Sequence, residues 1–79
     1  MPSIAFVLLQ VKAGKMKDVL KEIKKIKQIK EAYSITGPKD IIMKIETEQN
    51  LETIAKLVVT KVHEISGVIN SETYFVVNI

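Results

Sequence analysis

Short apolar, strand-like runs in this chain alternate with stretches whose apolar residues recur at a helical period of about 3.6, and the sequence strand, helix, strand occurs twice. Residues 4–11 (IAFVLLQV) are short, apolar and rich in strand formers, so they predict a strand covered on both faces. Ala13-Gly14-Lys15 breaks it. Met16, Val19, Leu20, Ile23 and Ile26 then recur at helical spacing, which predicts an amphipathic helix over roughly 15–27. Residues 29–36 return to strand character. Gly37-Pro38-Lys39-Asp40 is a turn, and residues 41–46 follow as another strand, so the pair makes a hairpin. Asn50 is placed as an N-cap with Glu52 in the first turn. Leu51, Ile54, Ala55, Val58, Val62 and Ile65 form a second helical stripe, and Gly67 is expected to end it as a C′ glycine. Residues 68–79 make the last strand.

The resulting order is β-α-β-β-α-β, two halves of similar length (4–36 and 41–79) hinged at Gly37. Right-handed crossovers turn this order into an α+β domain, a four-stranded antiparallel sheet with both helices on one face, the ferredoxin-like arrangement. Two helices cover one face only. The other should be polar in a monomer, yet Ile4, Phe6 and Leu8 oppose Ala5, Val7 and Leu9, and Ile41, Met43 and Ile45 oppose Ile42 and Lys44. In the last strand Phe75, Val77 and Ile79 oppose Tyr74 and Val76. An apolar face of that size exceeds the few hundred Å² that monomers expose. A second sheet, most simply from an identical chain, is expected to cover it.

A chain of 79 residues is one domain, 1–79, with a thin core. Domains this small lean on disulfides, a metal or oligomerisation. There is no cysteine, and the single histidine, His63, cannot hold zinc alone, so no metal or cofactor is implied and oligomerisation remains. No apolar run is long enough for a membrane span and no secretory leader is evident, which makes the cytoplasm the default compartment and a membrane partner unexpected. All twelve basic residues are lysine. Eight of them fall between Lys12 and Lys30, with three acids in Asp18–Glu31, locally +5, while the remaining four face six acids, −2. Without arginine there is no bidentate fork for guanine or phosphate, and without interleaved aromatics there is no base stacking. The lysine face reads as a solvated helix surface, and no direct DNA binding is expected.

The catalytic inventory is thin. His63 beside Glu64 suits a helix C-terminus better than a general base. Gly14, Gly37 and Gly67 are isolated and make no phosphate loop, and Asp40 and Glu46 lack a carboxylate partner at a catalytic spacing. The best candidate site is Thr36-Gly37-Pro38-Lys39-Asp40. A turn there offers backbone N–H groups for a carboxylate, a hydroxyl, and an aspartate for an ammonium, which together suit a zwitterion. The plain alternative is a hairpin turn in which Asp40 caps the turn or pairs with Lys39.

In these stretches the chain resembles the ligand-binding (RAM, regulation of amino acid metabolism) module of the Lrp/AsnC feast–famine transcription regulators. The similarity is carried by the first apolar strand, by Ile29-Lys30-Glu31-Ala32-Tyr33-Ser34-Ile35-Thr36-Gly37, and by Pro38-Lys39-Asp40 with the strand after it. It continues through Asn50-Leu51-Glu52, Ile65-Ser66-Gly67-Val68 and Ser71-Glu72-Thr73-Tyr74. The resemblance implies a sheet-to-sheet dimer, a ring of dimers that is commonly an octamer, and a small amino-acid effector held between dimers. Its pocket would involve Thr36, Gly37, Pro38 and Asp40, with Thr73 and Tyr74 nearby. Lys39 and Ser34 depart from the aromatic and the larger apolar residue frequent at their positions. The chain opens on the first strand rather than on the helix-turn-helix of the full regulators. The expectation is therefore a non-catalytic amino-acid-binding oligomerisation module that senses a small amino acid, modulates full-length regulators, or does both. The alternatives are a pure assembly subunit without ligand, a small dimeric α/β-barrel enzyme, or another ferredoxin-like module such as an ACT domain.

Overall fold

The computed structural model describes residues 2–78. Strand β1 (Ser3–Val11), helix α1 (Met16–Ile23), β2 (Ile29–Ser34), β3 (Ile41–Thr47), α2 (Leu51–Leu57) and β4 (Val68–Phe75) follow in the expected order, and a π-helical turn, Val58–Val62, continues α2 directly. The sheet runs β2-β3-β1-β4 with every neighbouring pair antiparallel. Ala5, Val7 and Leu9 of β1 and Ile41, Met43 and Ile45 of β3 meet Val19 and Ile23 of α1 and Ile54, Leu57, Val58 and Val62 of the second helical segment in one buried cluster. Both helices therefore cover the same face. Every buried side chain among the described residues is apolar.

The elements differ from the sequence expectations at their ends, each for a local reason. The first helix stops at Ile23 rather than near residue 27. Lys25 N–H reaches Glu22 O (3.2 Å) and Ile26 N–H reaches Ile23 O (3.0 Å), so the chain tightens to i→i+3 bonds and turns toward β2. Ile26 still packs on the core, because a spacing of three serves a tight turn as well as an α-helix. Asn50 caps α2 as expected, its Oδ1 accepting from Thr53 N–H at 3.1 Å. Leu51 and Ala55, however, are exposed, and Leu57 takes the core position. Ile54, Val58 and Val62 are four apart, a spacing that drifts about 40° per step on an ideal α-helix. The π-helical turn, marked by His63 N–H to Val58 O at 3.0 Å, absorbs that drift and keeps Val62 fully buried.

Gly67 is not a C′ glycine, since helical bonding ends at Val62 and residues 63–66 intervene. It has φ +105, its carbonyl accepts from Lys12 N–H at 2.8 Å, and a Cβ there would lie 2.8 Å from Lys15 Cβ. It is glycine because the β4 entry passes against the start of α1. Strand β2 ends at Ser34 and not at Thr36, and β4 ends at Phe75, although Val76 N–H still donates to Ile4 O at 2.9 Å. Ile79 lies outside the described residues.

The face away from the helices has an apolar centre and a polar rim. Phe6 pairs with Lys44 and Tyr74, and Leu8 with Ile42 and Glu72; directly paired residues share a face, as do Tyr33 and Ile42. Phe6, Tyr33 and Tyr74 are 40 %, 55 % and 54 % exposed. Each tyrosine leans on a glutamate of its own strand: Tyr33 Oη donates to Glu31 at 2.9 Å and Tyr74 Oη to Glu72 at 3.2 Å. Lys44 Nζ stands 3.9 Å from Glu31. Phe6, Tyr33, Ile42, Glu31 and Lys44 enclose a shallow hollow of about 70 Å³. Phe75 and Thr73 fall on the helix side, opposite Ala5 and Val7.

Candidate functional site

The loop between β2 and β3 is longer than a four-residue turn and spans residues 35–40. Asp40 anchors it three ways. Its N–H donates to Leu9 O (2.8 Å), its carbonyl accepts from Ile35 N–H (2.9 Å), and its Oδ2 accepts from Val11 N–H (2.9 Å). Val11 is 8 % exposed, so this carboxylate satisfies a donor with little access to water. Asp40 thus caps the end of β1 across the sheet, and Lys39 turns elsewhere instead of pairing with it.

The crest of the loop is open. Thr36, Gly37 and Pro38 are exposed, and a Cβ placed on Gly37 would meet nothing within 4 Å. Gly37 has φ +115, a conformation glycine takes at no steric cost. Among the described residues, the N–H groups of Thr36, Gly37 and Lys39 donate to no protein acceptor, and the Thr36 hydroxyl makes no hydrogen bond.

Beside the loop sits a group that the sequence does not assemble. Lys39 Nζ donates to Asn70 Oδ1 at 2.8 Å, and Asn70 Nδ2 donates to Gln10 Oε1 at 2.8 Å. Gln10 and Asn70 are paired across β1 and β4, next to a bulge where Val11 pairs with Val68 and Ile69 is left over. No local pattern brings residues 10, 39 and 70 together; only the strand register does. Of the other candidates, Thr73 and Tyr74 pair with Val7 and Phe6, further down β1, and point to opposite faces of β4. Within one chain they do not reach the loop.

His63 is exposed at the end of the π-helical turn, with Nε2 2.7 Å from Ser71 Oγ on β4. Among the described residues no group of three or more His, Cys, Asp or Glu side chains is placed to hold a metal ion. No helix of the described chain is long and apolar enough to cross a membrane. On the lysine-rich element Glu22 pairs with Lys25 at 3.0 Å. The phenol of Tyr33 titrates above its ordinary value because it donates to Glu31, whose charge adds to the effect; that of Tyr74 is raised by the charge of Glu72 and by the bond to it.

Comparison with known proteins agrees with this architecture. The family model described as the Lrp/AsnC ligand binding domain matches residues 4–79. The HTH-type transcriptional regulator FL11 of Pyrococcus abyssi is 41 % identical over 49 residues, which are 62 % of this chain and 32 % of that protein. The chain therefore matches about a third of the length of that regulator. The crystal structure of FFRP-DM1 superposes with a TM-score of 0.88 at 27 % identity, covering 95 % of this chain and 99 % of that one. AsnC of Escherichia coli has the same fold, with a TM-score of 0.89 at 19 % identity over 96 % of this chain and 51 % of that one. The order of elements, the strand register and the match over residues 4–79 place this chain in the Lrp/AsnC ligand-binding domain family.

Proposed function

We propose that this chain is a non-catalytic, oligomeric amino-acid-binding module that acts in transcription regulation. One observation carries the assembly part: a sheet face whose centre is Phe6, Leu8 and Ile42 is covered by no other layer of the described residues. A second copy, packed sheet to sheet, removes that surface from water at roughly 25 cal/mol per Å² of apolar area, and dimers of this kind then build a ring. The effector binds between dimers at the crest of loop 35–40, where unpaired N–H groups and the Thr36 hydroxyl are available to a carboxylate. Thr73 and Tyr74 enter such a site only from a neighbouring chain, since their own chain holds them away from its loop.

The test has two parts. Light scattering on a sizing column measures the assembly, and a monomer near 8.9 kDa at micromolar concentration would refute it. Calorimetric titration with each of the twenty amino acids measures sensing, and no binding at millimolar concentration by any of them would end that part.

A second reading rests on the same face. The curated relatives are helix-turn-helix regulators much longer than this chain, and a face of family type can pair with theirs. The chain would then act as an assembly partner that changes their oligomers. Native mass spectrometry after co-expression separates the two, because exclusive homo-oligomers in the presence of the relative count against hetero-assembly. The enzyme reading finds little support: it needs polar or histidine groups buried between helix and sheet, and among the described residues every buried side chain is apolar.

A further inference from the structure

The loop turns outward a different set of groups from the one its sequence suggests. Asp40 is the only acid in the segment from Thr36 to Asp40, and one of its two carboxylate oxygens is already engaged by Val11 N–H inside the fold. What the loop presents outward is a row of donors: the free N–H groups of Thr36, Gly37 and Lys39, and the Lys39 ammonium. The ammonium has no carboxylate within ion-pair distance among the described residues. Its partner is the neutral amide of Asn70, itself steadied by Gln10. Lys39 is half-buried, so a carboxylate that replaced the amide would meet a positive charge partly shielded from water.

The donors form two groups. The amides at the crest suit one carboxylate, as backbone N–H groups in a turn commonly do. The ammonium, drawn off toward β4, is placed for another. An ordinary amino acid has one carboxylate, and a basic one would bring a second cation beside Lys39. We propose that the effector of this chain is an acidic amino acid, aspartate or glutamate in class, with the loop amides holding the α-carboxylate and Lys39 holding the side-chain carboxylate. Lys39 is then the specificity-determining residue. This inference rests on the assignment of loop 35–40 as the effector site.

Calorimetric titration of the purified oligomer with L-glutamate, L-aspartate, L-glutamine, L-asparagine, L-lysine and L-leucine tests it, repeated on Lys39→Gln. The variant keeps a donor for Asn70, and a thermal melt confirms that it is folded. The expected result is that glutamate or aspartate binds about ten- to a hundredfold more tightly than its own amide, the range of a charge-assisted bond. Lys39→Gln abolishes that preference and leaves the melting temperature within a few degrees. Tighter binding of a neutral or basic amino acid overturns the inference while leaving the sensing function standing. So does a Lys39→Gln protein that still prefers the acid. Binding of none of the amino acids overturns both.

Discussion

Replacing Asp40 separates a structural role from a ligand-binding one. In Asp40→Ala the Val11 N–H loses its acceptor at 2.9 Å. Val11 is 8 % exposed, so water replaces that acceptor poorly, and an unpaired buried donor costs roughly 1–3 kcal/mol. The backbone bonds of residue 40 to Leu9 and Ile35 survive, so the loop stays docked and the loss is confined to one bond. For a domain of this size each kcal/mol lowers the melting temperature by about 4–8 °C, and a loss of about 2 kcal/mol predicts a drop of roughly 8–16 °C. Asp40→Asn keeps a carbonyl oxygen for Val11 and gives up only the charge assistance, a loss of about 0.5–1 kcal/mol. The assay is thermal unfolding by circular dichroism at one fixed protein concentration, because an assembling protein melts at a concentration-dependent temperature. If Asp40→Ala melts with the native protein, to within about 0.5 kcal/mol, the capping role is wrong. A loss of amino-acid affinity equal in Ala and Asn, with no loss of stability in either, would return Asp40 to the role of ammonium ligand.

Three further outcomes follow from the same geometry. Gly67→Ala combines a left-handed φ with a contact of 2.8 Å to Lys15 Cβ, whereas Gly37→Ala has the unfavourable φ alone. The first should cost about 2–4 kcal/mol and the second about 1–2 kcal/mol by denaturant titration, and equal losses would show that the close approach at Gly67 is unimportant. Phe6→Glu puts a charge at the centre of the open sheet face. Sizing with light scattering should show dissociation to a folded monomer, and an unchanged oligomer would move the interface elsewhere. Absorbance titration of the tyrosines should give midpoints above the usual value near 10, with Glu31→Gln lowering that of Tyr33. The sign is that of a group whose folded pKa is raised: the neutral phenols contribute at all lower pH, and the contribution is lost as pH rises through the folded pKa. A Tyr33 midpoint unmoved by Glu31→Gln would remove the Glu31 bond as its cause.

The order of elements, the two faces of β1 and β3, and the Asn50 cap were legible from the sequence because each rests on neighbours within a few residues. Period two separates Ala5, Val7 and Leu9 from Phe6 and Leu8 whatever else the chain does, and Asn50 needs only Thr53. Periodicity could not place the end of α1, since Ile26 packs equally well from a tight turn. Nor could it foresee the π-helical turn, which answers a drift visible only when the core is in place. The Thr36–Asp40 segment was recognisable as a candidate by its residue types, but their uses were not.

That division follows from range. Composition and local pattern determined one β-α-β-β-α-β unit with one sheet face left over, and hence the expectation of a second layer. Only the tertiary structure decided what the loop presents. The register of β1 with β4 sets Asn70 against Gln10, within reach of Lys39, and the register of β1 with β3 places Val11 N–H where Asp40 serves it. Those partners are 29 to 60 residues apart in the chain. No short-range rule connects them, because strand pairing rather than sequence proximity determines which side chains meet.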